Sequence, residues 1–244
     1  MTNLLQKNIF KAYDIRGIVG DALTEDIVSL IGQSIGSEAS DQKQTSICVG
    51  YDGRLSSPDL CDALTRGLLS TGIDVINIGL VTTPMLYFSA HELKTNTGIM
   101  ITGSHNPPEY NGFKIVINTK TLTSEQIQDL YKRIKDGKFA KGNGKLISKK
   151  IQSQYLTKIY EGINLKRPMK VTIDCGNGAA GVCAEELFLG LNLEVETLFG
   201  EVDGHFPNHH PDPSNPSNLI DLQKNLARTD SEIGLAFDGD ADRL

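Results

Sequence analysis

Between Thr102 and Lys114 the sequence TGSHNPPEYNGFK brings a hydroxyl (Ser104), an imidazole (His105) and an ammonium (Lys114) into one short stretch. Gly103 allows close backbone approach, Pro107 and Pro108 fix φ and cannot donate, and Asn106, Asn111 and Gly112 suit tight turns, so the stretch predicts a rigid exposed loop. The apolar runs GIMI before it and FKIVI after it predict two strands that hold the loop between them, a common place for chemistry. A free hydroxyl is a weak nucleophile and needs a base or a metal beside it. Ser104 is therefore a candidate nucleophile that requires help.

The help is offered at the other end of the chain. IGLAFDGDADR places Asp238, Asp240 and Asp242 at alternate positions after an apolar strand. Two unit charges about 4 Å apart repel by roughly 4 kcal/mol at an effective dielectric near 20, so such a triplet is stable mainly around a cation. Oxygen-only ligands indicate Mg²⁺ or Ca²⁺. The spacing resembles the start of an EF-hand loop, but Arg243 stands where that loop needs glycine, and the reading is discarded. Mg²⁺ bridging a phosphoryl oxygen fits better, with Arg243 neutralising further charge.

These residues resemble the α-D-phosphohexomutase family, in its bacterial phosphomannomutase/phosphoglucomutase branch. Four motifs occur in family order: FKAYDIRG from Phe10, TGSHNPPEYNGFK, FPNHHPDPSNPSNL from Phe206, and DGDADR. The resemblance covers essentially all 244 residues, but only the first half of a typical four-domain member. It implies that Ser104 carries a phosphoryl group, gives it to a hexose phosphate of mannose or glucose and takes one back from the hexose 1,6-bisphosphate, so that phosphate moves between positions 1 and 6. It implies that Asp238, Asp240 and Asp242 hold Mg²⁺ against the Ser104 phosphate, with Lys114 and His105 as candidates for proton transfer or charge stabilisation. Tyr13 and Arg16 match the family's N-terminal active-site segment, and a guanidinium fork suits phosphate. Phosphoglucosamine mutase is an alternative. In this family the sugar hydroxyls and distal phosphate are gripped by the two further domains, so the 244-residue chain alone is expected not to turn over.

The chain is long enough for two modest cores. Its net charge of −6 leaves no surplus of Lys and Arg to neutralise nucleic acid. MTNLLQKNIF has no signal-like apolar core, and no apolar run approaches the roughly 20 residues that span a bilayer. A cytoplasmic chain without nucleic-acid or membrane partners is the expectation. Cys48, Cys61, Cys175 and Cys183 show no paired short spacing and are expected as buried free thiols.

The elements that must position these groups alternate. A helix from about Thr24 carries Ile27, Leu30, Ile31 and Ile35 on one face; SICVGYD predicts a strand; Ser57 is expected to cap a helix with Pro58 in its first turn. IDVINIG, a helix over PMLYFSAHEL, the two strands around Ser104 and a helix boxed by Thr123 and Gln126 complete a first domain at 1–145. The stretch KDGKFAKGNGKLISKK marks the boundary. Over 146–244, KVTID, GVCAEELFLG, LEVETLF, NLIDLQKNL and IGLAF follow a helix near Gln152 and repeat the layered plan. The fold class is thus α/β, two consecutive layered domains with mixed sheets, the second ending just after the Asp triplet. That ending leads to an expectation of an unpaired edge and self-association of this chain, while the full-length protein could be a monomer.

The sequence carries three rival readings. Gly176, Gly178 and Gly181 form G-x-G-x-x-G after a strand, with Glu196 about 20 residues on, as a dinucleotide site requires. A tight strand-to-helix turn is the preferred account, because a dehydrogenase leaves Ser104 and the Asp triplet unexplained. His205, His209 and His210 with Asp203 and Asp212 suggest a metal site, but adjacent histidines on an irregular loop do not readily face one ion. A noncatalytic sugar-phosphate-binding fragment is the third.

Overall fold

The computed structural model describes residues 5–244. Its first sheet contains β1 (Asp14–Ile18), β2 (Ser46–Tyr51), β3 (Asp74–Leu80), β4 (Gly98–Ile101), β5 (Tyr110–Ile117), β6 (Lys120–Thr121) and β7 (Leu146–Ser148). The helices around it are α1 (Glu25–Asp41), α2 (Ser57–Leu69), α3 (Thr83–Glu92), α4 (Ser124–Asp136) and α5 (Gln152–Gly162). Strands that are apolar on both faces need cover on both, and β2 and β4 are such strands. Ile47, Val49, Ile99 and Ile101 point into one core with α1, α2 and α4. Cys48 and Met100 point into a second core with Met85 and Leu86 of α3 and Leu156 of α5.

Strand order is β1-β5-β4-β2-β3-β7, with β6 on β5. β2, β3, β4 and β7 run parallel, whereas β5 lies antiparallel between β4 and β1. The hairpin from β4 to β5 therefore carries the Ser104 loop out at the ends of the parallel strands. The helix expected from about Thr24 starts there, with the Thr24 hydroxyl accepting from the Ile27 amide, and Thr123 forms the full capping box with Gln126 read from the sequence. Ser57 departs from expectation. The cap position is Ser56, and the Ser57 hydroxyl, fully buried, donates to Asp52 Oδ1 at 2.6 Å instead.

Residues beyond the junction expected at 145/146 also join the first sheet and the core on its α3 face. β7 pairs with β3 in parallel, and Ile151 and Leu156 enter the α3 core, where Phe88 meets Tyr155 edge-on. An edge strand needs backbone bonds on one side only. All three residues of β7 are exposed, so composition carries no signal of it.

The second half contains β8 (Lys170–Asp174), α6 (Ala184–Gly190), β9 (Glu194–Leu198), α7 (Ile220–Arg228) and β10 (Ile233–Ala236). Its strands lie in the order β10-β8-β9, all parallel, over a core of Val171, Ile173, Cys175, Ala180, Ala184 and Leu193. All four cysteines are buried and free, and burial pushes the Cys48, Cys61 and Cys175 thiols up to about 12. No helix among the described residues is long and apolar enough to cross a membrane.

Candidate active site

Ser104 leaves β4 through a tight turn that bends the chain back into β5. Its φ of 50° lies in the left-handed region, which a non-glycine residue adopts only when its surroundings impose it. The Thr102 hydroxyl accepts from the Ser104 amide at 2.7 Å, and the Asn106 side chain donates to the Gly103 carbonyl at 3.0 Å. The resulting Ser104 is 1% exposed and its hydroxyl donates to Asp238 Oδ2, 134 residues away, at 2.8 Å.

The Asp238 loop has an equally local cause. Asp238 Oδ1 accepts from the amides of Asp242 and Arg243, each at 3.1 Å, and the Asp238 amide donates to the Arg243 carbonyl. This closes a turn that gathers the three carboxylates, Asp242 at the exposed end, with ligand atoms within 4.8 Å of one another. Asp238 and Asp240 are fully buried. Burial, then the charge of Asp240, pushes the Asp238 carboxyl up to about 7. Burial acts the same way on Asp240, but Lys114, Thr83 and Ser104 outweigh it and hold that carboxyl low.

The two loops meet across the domain boundary through several long-range bonds. Lys114 Nζ, on β5, lies 2.6 Å from both Asp240 Oδ2 and Asp242 Oδ2. Thr83, the first residue of α3, reads Asp240 twice, its hydroxyl donating to Oδ2 and its amide to the backbone carbonyl. Gly239 lies so close to the Ser104 carbonyl oxygen that a Cβ there would sit 2.4 Å from it. Asp240 Oδ1 is the exception, a buried carboxylate oxygen with no hydrogen-bond partner among the described residues. An unpartnered buried anion oxygen facing two more carboxylates fits a hard divalent cation, which takes oxygen ligands.

His105 stands beside the nucleophile candidate, its Nδ1 3.3 Å from Ser104 Oγ. Burial and the nearby Arg243 charge hold its imidazole below the ordinary range, so it is neutral and able to accept a proton near pH 7. Ser104, His105, Lys114, Asp238, Asp240 and Asp242 thus converge. Arg16, on β1 opposite Gly112, pairs with Asp14 at 2.6 Å and lines a cavity with Asn106 and Pro107. Arg243 touches the site through its backbone and makes no side-chain hydrogen bond or ion pair among the described residues. Tyr13 is 73% exposed and makes no side-chain hydrogen bond among the described residues.

Sequence reasoning missed Arg54, Thr83 and the use made of His210. The buried Arg54 guanidinium donates to the carbonyls of Ser104, Asn106, Pro107 and Tyr110. Its only sequence signal was a charged pair, Asp52 and Arg54, directly after a strand buried on both faces. His210 Nε2 donates to the His105 carbonyl, while His209 binds Asp174 and His205 binds Asp203. The three histidines turn to different partners, and the acidic triplet is the one metal-like cluster among the described residues. The glycines of the G-x-G-x-x-G turn are filled by the protein itself: Pro211 covers Gly176, Gly239 covers Gly178 and Gly200 covers Gly181. No space is left there for a pyrophosphate.

Fold and site together define a two-domain α/β protein with a serine loop docked on a carboxylate cage at the domain boundary. The chain belongs to the phosphoglucomutase/phosphomannomutase family: residues 7–141 match its alpha/beta/alpha domain I and residues 153–244 its alpha/beta/alpha domain II. It is 53% identical over 242 residues to a phosphoglucomutase of Neisseria meningitidis, covering 98% of this chain and 53% of the relative. It is 49% identical over 240 residues to a phosphomannomutase/phosphoglucomutase of Pseudomonas aeruginosa, covering 98% of this chain and 52% of the relative. The crystal structure of a phosphoglucomutase/phosphomannomutase family protein from Burkholderia thailandensis superimposes with a TM-score of 0.93 at 45% identity, over 97% of this chain and 53% of that one. The chain spans about half the length of the relatives it matches.

Proposed function

We propose that this chain is the nucleophile- and metal-bearing half of a phosphohexomutase, which moves phosphate between positions 1 and 6 of glucose or mannose through a phosphoserine and a hexose 1,6-bisphosphate. The observation that carries the reading is the 2.8 Å contact of the Ser104 hydroxyl with a cage of three carboxylates, one of whose buried oxygens has no partner. Asp238, Asp240 and Asp242 would hold Mg²⁺ together with an oxygen of phosphorylated Ser104. When bound, the ion neutralises charge on the transferred phosphoryl group and polarises its phosphorus for attack.

The chain's own residues supply the rest. The phosphoryl group leaves Ser104 Oγ as a sugar hydroxyl attacks, and that hydroxyl's proton passes to neutral His105, whose Nδ1 lies 3.3 Å from Ser104 Oγ and hands a proton to that departing oxygen. Lys114, held by Asp240 and Asp242, sets a positive charge against the non-bridging oxygens and fixes the cage. Arg16 and Arg243 add guanidinium charge for the sugar phosphate, and Tyr13 adds a hydroxyl. After the bisphosphate turns round, Ser104 Oγ attacks the other phosphoryl group, its proton passing to His105 and on to the sugar oxygen that leaves.

The test is a coupled assay of the complete polypeptide on mannose 1-phosphate, glucose 1-phosphate and glucosamine 1-phosphate. Conversion of the first two, abolished in Ser104→Ala, supports the reading. Turnover of glucosamine 1-phosphate alone, or an active Ser104→Ala protein, overturns it.

A further inference from the structure

The left-handed conformation of Ser104 needs a cause, and the structure assigns it to Arg54: we propose that Arg54 is the positioning residue that moulds the nucleophile loop and so sets the aim of Ser104. The inference rests on the mutase reading for its kinetic arm only.

Arg54 follows β2 and its side chain is 1% exposed. Each terminal nitrogen of the guanidinium meets two carbonyl oxygens. Nη1 donates to Pro107 and Tyr110 at 2.7 and 2.9 Å, and Nη2 to Ser104 and Asn106 at 2.8 and 2.6 Å. All four terminal N–H groups are thereby spent on the one loop, in a planar fork that lysine cannot reproduce. Asp52 completes the mould. It lies 3.4 Å from Arg54 Nε, takes the Gly103 amide on Oδ2 at 3.3 Å and takes the Ser57 hydroxyl on Oδ1. The pair therefore engages the loop's backbone through both donors and acceptors.

Two further contacts fix the guanidinium in place. A Cβ on Gly103 would lie 2.4 Å from Arg54 Cζ, so the loop presses flat against the fork. Phe206, from the second domain, brings its ring centroid to 5.5 Å of Cζ. The charge is held between the loop and an aromatic ring, away from water, where a hydrogen bond to a carbonyl is strongest. Arg54 touches no reacting atom. Its loss is expected to lower the rate of phosphoryl transfer while sugar-phosphate affinity stays within about threefold.

Two variants test this. Arg54→Lys keeps the charge and loses the fork. Gly103→Ala keeps Arg54 and pushes it away from the loop; Gly103 has no left-handed φ, so alanine adds no backbone strain of its own. Amide hydrogen exchange on the 244-residue chain reads positioning without any assumption about activity. Peptides spanning residues 102–112 should exchange at least about tenfold faster in each variant, while β2 and α1 stay as protected as in the parent. In the complete polypeptide, phosphorylation of Ser104 by hexose 1,6-bisphosphate should fall on the order of 100-fold, the effect of about 1 Å of misplacement. In the double variant the two losses should not multiply, because both act through one contact. Unchanged exchange in 102–112 in a folded variant overturns the proposal. A parent protein that never takes phosphate on Ser104 overturns the mutase reading instead. If Arg54→Lys does not fold, Gly103→Ala decides alone.

Discussion

Replacing Gly239 with alanine tests whether the serine loop and the carboxylate loop work as one body. Gly239 lies outside the left-handed region, so the substitution adds bulk without backbone strain. The new methyl would stand 2.4 Å from the Ser104 carbonyl oxygen, where ordinary contact begins at 3.4 Å, so the loops must part by about 1 Å. Ala179 holds the other side, its amide donating to the Gly239 carbonyl oxygen at 2.9 Å, and leaves little room for retreat. If the parting falls along the 2.8 Å contact between Ser104 Oγ and Asp238 Oδ2, that contact opens to roughly 3.8 Å and ceases to be a hydrogen bond. Overpacking of this kind costs about 1–3 kcal/mol of stability, and 1 Å of misplacement costs on the order of 100-fold in rate. The assay is quench-flow intact mass spectrometry of the complete polypeptide given hexose 1,6-bisphosphate, beside a thermal melt and Mg²⁺ calorimetry. A folded Gly239→Ala protein that takes phosphate within threefold of the parental rate would falsify the idea that this close approach aims the serine.

Lys114→Met should destabilise the metal-free protein by about 3 kcal/mol, because it leaves buried Asp240 without its cation, and added Mg²⁺ should recover part of the loss; urea denaturation with and without Mg²⁺ measures both. The His209 imidazole is raised first by its hydrogen bond to buried Asp174, against the opposing effect of burial. A raised histidine stabilises fully below its unfolded value of about 6.5 and loses that contribution as pH rises through the folded value. The stability gap between the parent and His209→Gln should therefore be wide at about pH 6 and shrink by about pH 9; a gap that widens with pH contradicts the assignment.

Much of this was legible in the sequence wherever the signal is local. Alternate aspartates after an apolar strand, a Pro- and Asn-rich turn between two apolar runs, and a Thr123–Gln126 box each announce themselves within a dozen residues. What stayed hidden depends on contacts between distant residues. Arg54 reaches carbonyls about 50 residues on, Thr83 reaches Asp240 157 residues on, and His210 reaches back 105 residues to the His105 carbonyl. A backbone carbonyl leaves no mark on residue type, so no spacing rule points to it. β7 was missed because an edge strand needs no apolar face, and its Lys-rich surroundings look like a linker. Ser57 looked like a helix cap and is instead a buried donor to Asp52, a partner that only the packing of α2 against the end of β2 creates.

The most direct test of the central claim is where phosphate lands. The complete polypeptide, treated with a hexose 1,6-bisphosphate and Mg²⁺ and then digested, should carry one phosphate on the peptide containing Ser104, and none when Mg²⁺ is chelated or when Ser104 is alanine. Stable phosphate on any other residue, with Ser104→Ala still phosphorylated and active, contradicts the account.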